Sequence, residues 1–142
     1  RTNTQQGNKL RTYRTFKKVY KMEDYLIKIK ELEARVAITR LRISAHMLEV
    51  ERGRYLMKPL NERKCKNCSM DEIEDEPHLL LRCSSYEESR NSLFQEICEQ
   101  LPPFGGMSDH NKFIELMSME QYVYRDAMVK LIKHICKVRG CL

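Results

Sequence analysis

The stretch CKNCSMDEIEDEPHLLLRC, residues 65–83, decides how the rest of the sequence is read. Its Cys65, Cys68, His78 and Cys83 follow the pattern C-x2-C-x9-H-x4-C. Two cysteines two residues apart can grip one ion, because a tight turn directs both sulfurs inward. Zinc favours a tetrahedron of thiolates and imidazole, and a site closed by four protein ligands is structural. The spacing therefore predicts one structural zinc ion. Three thiolates and a neutral imidazole leave one net negative charge, which Lys64, Lys66 and Arg82, adjacent in sequence, would soften. On an ideal helix His78 and Cys83 would be about 140° out of phase. Any helix opened by Pro77 should end or unwind just before Cys83.

Other readings of these residues are weaker. Buried free cysteines beside a surface histidine would not need this spacing. A redox C-x-x-C pair needs a βαβ context, and none is present. A catalytic zinc keeps an open position and a nearby base. The acidic middle segment offers Glu74 and Glu76, but four good ligands leave no vacancy. Glu72, Glu74, Asp75 and Glu76 read instead as a solvated loop.

Working outward, 142 residues fit one domain, or one zinc-centred unit with helical flanks. Opening on Arg1, the sequence reads as a fragment of a longer protein. It shows no transmembrane run and no signal-peptide core, and RGCL at its end is not a prenylation box. Cys98, Cys136 and Cys141 lie far apart in or beside helical patterns. That is unlike a secreted disulfide framework, so the expected compartment is intracellular, cytoplasm or nucleus, with no membrane partner.

Helical periodicity recurs on both sides of the Cys/His stretch. Residues 10–20 form a basic amphipathic stretch, residues 22–29 a short second helix, and residues 31–50 a third that Gly53 ends. Residues 54–64 are an extended basic connector. Ser84 and Ser85 before Glu87 and Glu88 signal a cap for a helix that stops at Pro102–Pro103. Residues 104–107 read as a flexible turn. Ser108 caps a short helix, and Ser118 with Gln121 is a further capping box before the last one. There Tyr124, Met128, Leu131, Ile135 and Val138 make one apolar stripe, read as core with partner docking as the competing use. The expected fold is mostly α, a small helical domain organised around the CCHC zinc site, with room for a short β-hairpin at the first Cys pair. Its segments are 1–64 (basic, helical), 65–101 (zinc unit and following helix) and 102–142 (C-terminal, helical).

Charge is unevenly spread. Residues 1–64 carry 17 Lys or Arg against 7 Asp or Glu, a net +10, whereas residues 65–142 carry 9 against 13, a net −4. A basic half is the footprint of a phosphate-binding surface. Phosphate neutralisation supplies most nucleic-acid affinity, and aromatic rings add stacking on unpaired bases. The candidate contacts are Arg11, Arg14, Lys17, Lys18, Lys21, Arg40, Arg42, Arg52, Arg54, Tyr55, Lys64 and Lys66; the Arg and Lys among them are expected to face solvent, and Tyr55 reads more readily as core. Tyr13, Phe16 and Tyr20 interleave with the first of them and read as core. His46, four residues after Arg42 on one helical face, reads as a packed histidine and as the reserve metal ligand.

Three segments also carry a resemblance. TRLRISAHMLEVERGRY (residues 39–55), CKNC, and EDEPHLLLRCSSYEESR (residues 74–90) resemble the C-terminal tail of non-LTR (LINE-type) retrotransposon reverse transcriptases. Those tails carry a basic R-L-R-x-x-x-H segment, matched by Arg40, Leu41, Arg42 and His46. A C-x2-C pair follows, then an acidic run with His and Cys, then an aromatic and an Arg. Cys65, Cys68, His78, Cys83, Tyr86 and Arg90 match these. A retroviral zinc knuckle spaces its ligands C-x2-C-x4-H-x4-C, and the nine residues before His78 depart from it. The resemblance implies an accessory module beyond the polymerase domain, helping grip template RNA or target DNA in target-primed reverse transcription, with nucleic acid and the upstream polymerase domain as partners. The sequence lacks the Y/F-x-D-D of a polymerase and any clear nuclease acidic cluster, so the expectation is an accessory to an enzyme. The competing function is a zinc-stabilised protein-interaction module, a domesticated transposon tail.

Overall fold

In the C-terminal half, apolar residues return every three or four positions, and each such run is a helix with one buried face. The structure, a computed structural model, describes residue 10, residues 12–140 and residue 142. Its helices are α1 (Tyr13–Phe16), α2 (Asp24–Lys28), α3 (Leu32–Arg42), α4 (Glu49–Tyr55), α5 (Glu87–Gln100), α6 (Asp109–Ser118) and α7 (Tyr122–Arg139). The fold is mostly α, as expected. The hairpin at the first Cys pair reduces to one antiparallel bridge, Lys64 with Ile73.

Helix α7 is the central element and packs against α3, α5 and α6. Its stripe of Tyr124, Met128, Leu131 and Ile135 is buried, which leaves Val138 as the exposed member. The stripe is core and not a docking face. Ser108 starts α6, its Oγ accepting the Asn111 amide at 3.2 Å. The Ser118–Gln121 box does not form. Ser118 closes α6, and Gln121 enters α7 in extended backbone without a side-chain cap. Residues 104–107 are not a loose turn either. Residues 104–106 belong to a 3-10 turn (Pro102–Gly106) that Met107 follows in extended backbone, and its Phe104 is buried, with ring centroids 5.2 Å from Phe94 and 5.7 Å from Tyr124. One core draws on all three expected segments, from Phe16 to Leu142.

The third predicted helix breaks. α3 ends at Arg42, Ser44 adopts a left-handed φ of 59°, and a separate α4 starts at Glu49. The cause lies 30 residues away in sequence, at the buried Glu76. His46 Nε2 meets Glu76 Oε2 at 2.6 Å, Ser44 donates to the same oxygen at 3.4 Å, and His46 Nδ1 accepts the Leu48 amide at 3.2 Å. A neutral His46 that accepts at Nδ1 must carry its proton on Nε2, where it faces Glu76. Gly53 does not end a helix but lies inside α4, where a Cβ would come within 2.5 Å of Arg63 Cγ. The expected extended connector begins only after Tyr55 and contains a further 3-10 turn, Leu60–Glu62.

Candidate metal centre

Cys65 and Cys68 are presented by the turn around the Lys64–Ile73 bridge. The Cys65 amide donates to Glu72 O at 2.9 Å, and the Glu74 amide donates to Arg63 O at 3.0 Å. His78 and Cys83 come from the following helical run. The phase conflict between them is resolved by a wide π-turn over His78–Arg82, closed by the Cys83 amide on His78 O at 2.7 Å. An i→i+5 bond widens the turn beyond the 3.6 residues of an α-helix, so residues five apart come closer to one side. Asp75 starts this turn, its Oδ1 accepting the His78 amide at 2.9 Å.

Sγ of Cys65, Cys68 and Cys83 and a ring nitrogen of His78 lie within 4.8 Å of one another. Cys65 Sγ and Cys83 Sγ are 3.9 Å apart, and Cys68 Sγ is 3.5 Å from His78 Nε2. These four residues are close enough to bind one metal ion. Cys65, Cys83 and His78 are buried, and Cys68 is half-buried. Burial pushes the thiols of Cys65 and Cys83 up, a cost that a bound cation reverses by holding them as thiolates.

The acidic segment is not a solvated loop. Glu72 Oε1 accepts from Arg82 Nε at 2.9 Å and faces His78 Nδ1 at 3.0 Å. Arg82 first, and then His78, hold its carboxyl below the usual range. A ligating histidine whose other nitrogen meets a carboxylate is oriented for metal binding. Glu74 and Glu76 are buried at 1% and 0% exposure. Glu74 Oε1 accepts the Glu49 amide at 2.9 Å and Glu74 O the Val50 amide at 3.1 Å, so a distant residue caps α4. Its Oε2 lies 3.5 Å from Cys65 Sγ and 2.7 Å from Arg139 Nη1. His46 belongs to Glu76 and is no reserve ligand.

The cations beside the centre differ from those expected. Lys64 pairs with Asp71, Lys66 approaches Glu49 at 3.9 Å, and Arg82 acts through Glu72. Arg139 reaches the centre through Glu74. Arg90 is buried near Cys83; burial lowers its pKa, and the Cys83 sulfur opposes that shift. Tyr86, also buried, is pushed up to about 12 by burial and stays a neutral phenol. No local spacing signalled Arg139, which is 65 residues from Glu74.

The expected nucleic-acid contacts separate into groups. Arg11 lies outside the described residues. Arg42 is a correction, at 2% exposure. Its guanidinium lies 4.4 Å from the Phe16 ring centroid and 5.0 Å from that of Tyr25. It donates to Glu23 Oε1 at 2.8 Å and to Met117 O, so it staples the N-terminal arm to α6 and is inaccessible to phosphate. Arg52 and Arg54 pair with Glu49 and Glu51, and Lys17 is largely covered and pairs with Glu23. Tyr55, read as core, is exposed, with Arg54 over its ring. Arg40 is exposed and donates to Leu142 O at 3.1 Å. Arg14, Lys18 and Lys21 are exposed. Beside them Tyr20, expected in the core, is fully exposed, while Phe16 is buried and Tyr13 partly so. Among the described residues no helix is long and apolar enough to cross a membrane. In comparisons with known protein families, curated proteins and solved structures, nothing matches this chain.

Proposed function

We propose that the centre holds one structural zinc ion, and that the domain is an accessory nucleic-acid-binding module of a LINE-type reverse transcriptase, gripping template RNA or target DNA beside its polymerase. For zinc, the support is donor chemistry and size. Zn–S bonds of about 2.3 Å and Zn–N bonds of about 2.05 Å in a tetrahedron place two sulfurs about 3.8 Å apart and a sulfur and nitrogen about 3.6 Å apart. The 3.9 and 3.5 Å separations match these. With four protein ligands, the ion's part is to hold the hairpin turn and the π-turn together.

One observation carries the nucleic-acid reading. Arg14 and Lys18 line one surface depression with the exposed Tyr20, Lys21 follows Tyr20 in sequence, and none of the three cations forms an ion pair among the described residues. Cations free of acids are available to phosphates, and an exposed ring can stack on a base. The resemblance of residues 39–90 to retrotransposon tails points the same way.

The test is binding of the zinc-loaded protein to structured RNA, single-stranded DNA and duplex DNA across a salt series. Affinity should fall steeply with salt. Reversing Arg14, Lys18 and Lys21 to Glu should reduce the log–log slope by about 2–3, at about 0.7–0.9 per phosphate. Absence of binding to all three ligands at low salt, or a triple variant with unchanged affinity and slope, would overturn the reading.

A further inference from the structure

Helix α3 buries one face against α7 and, among the described residues, leaves the other without a covering element. At about 100° per residue, Leu32, Ile43, Val36, Arg40 and Glu33 follow one another within an arc of about 100°. All five are exposed, with Leu32 at 62%, Val36 at 38% and Ile43 at 37%. Ala34, Ala37, Ile38 and Leu41 fill the opposite, buried side. The solvent face of this helix is thus an apolar stripe with Glu33 and Arg40 on one edge; Arg35, toward the other edge, donates to Leu26 O at 3.4 Å and Ile29 O at 3.0 Å. Beside it a groove of about 400 Å³ runs from Leu32 and Val36 to Cys136 and Leu142.

The charges identify the occupant. Glu33 and Arg40 sit on the same edge of the stripe, about 10 Å apart along the axis. That is too far to pair with each other; Glu33 has no ion-pair partner among the described residues, and the exposed Arg40 donates to Leu142 O at 3.1 Å. A two-fold axis perpendicular to the helix near Val36 reverses the chain direction and keeps that edge on the same side. It brings Glu33 of each copy opposite Arg40 of the other, Val36 against Val36, and each Leu32 toward the other copy's Ile43 and groove. A surface complementary to itself under a two-fold is an isologous dimer contact. We infer that the α3 face binds a second copy of this chain, antiparallel, with the Val36 contact at its centre. One helix face is small beside a standard interface of about 800 Å² per partner, so the dimer is a weak one, with a dissociation constant on the order of 10 μM.

Sedimentation equilibrium of nucleic-acid-free, metal-loaded protein from about 1 to 300 μM, bracketing that constant, tests this. The mass should rise from 17.0 kDa toward twice that value. Val36→Glu, at an exposed position that leaves the fold intact by circular dichroism, should hold the protein at monomer mass. Glu33→Arg should weaken association roughly tenfold, and Glu33→Arg with Arg40→Glu should restore it. A wild-type protein that stays monomeric throughout would assign the face to a different partner and overturn the inference. A dimer indifferent to Val36→Glu, or a double reversal that fails to restore association, would do the same.

Discussion

Glu72 shows how much a single side chain can decide. Its carboxylate meets both Arg82 and the far nitrogen of His78, and so sets which nitrogen of His78 faces the sulfurs. Replacing it with Gln keeps the size and removes the charge. The expected result is metal affinity about 10–100-fold lower, read by competition with a chromophoric chelator, with the folded metal-loaded state retained. An affinity equal to wild type would show that Glu72 does not orient the ligand. The four candidate ligands themselves were legible in the sequence, because metal-ligand spacing is a local property. Glu72 was not, since an acid in an acidic run carries no mark of its partner. Arg42 illustrates the opposite error. A basic residue in a basic helix reads as exposed, yet two aromatic faces and Glu23 supply a site in which its charge is satisfied below the surface.

Among the elements, α4 departs furthest from its local signals. Leu48 offers no side-chain cap, and Gly53 lies mid-helix, where glycine costs about 1 kcal/mol relative to Ala. Helix formation there rests on Glu74, which caps the first turn, and on Arg63, which lies across Gly53 and donates to Val50 O at 3.0 Å and to Lys58 O at 2.8 and 3.0 Å. Gly53→Ala should therefore destabilise the protein, by up to about 2 kcal/mol net, despite the better helix propensity of Ala. A Cβ would displace a side chain held by three hydrogen bonds, and overpacking of this kind costs about 1–3 kcal/mol. Urea denaturation measures the difference, and a stabilised variant would show that Arg63 moves aside freely. The break between α3 and α4 has the same origin. Periodicity runs on through residue 48, but buried Glu76 requires partners, and Ser44 and His46 leave the helix to supply them.

For the whole molecule, the metal centre and the helical core are one structure. Leu79, Leu80 and Cys83 belong to the same buried cluster as α5 and α7, and Arg139 of α7 is tied to Glu74 beside Cys65. Removing the metal should therefore weaken the entire domain. Structural zinc contributes about 10 kcal/mol or more in small zinc units. If half of that reaches the global transition, at about 2–4 °C per kcal/mol for a chain of this size, chelator at pH 7 should lower the melting temperature by more than about 10 °C. Cys83→Ser should reproduce the shift. A helical melting curve indifferent to both would mean that the helices stand without the centre.

By itself the sequence determined the mostly α character, the four candidate ligands, the start of α6 and the C-terminal apolar stripe. Each of these depends on residues within a turn or two of one another, where helical periodicity, capping chemistry and ligand spacing act directly. Only the tertiary structure decided the fate of the charges. Desolvation makes a buried ion depend on whatever partner the fold brings to it, however distant in the chain. So Glu74 and Glu76 became interior caps and ties, Arg42 a staple, Arg52 and Arg54 members of ion pairs, and Arg14, Lys18 and Lys21 exposed cations without an ion pair among the described residues. The exposed stripe on α3 was decided in the same way. Its helix carries apolar residues on two sides, and it is the packing against α7 that selects which side is covered.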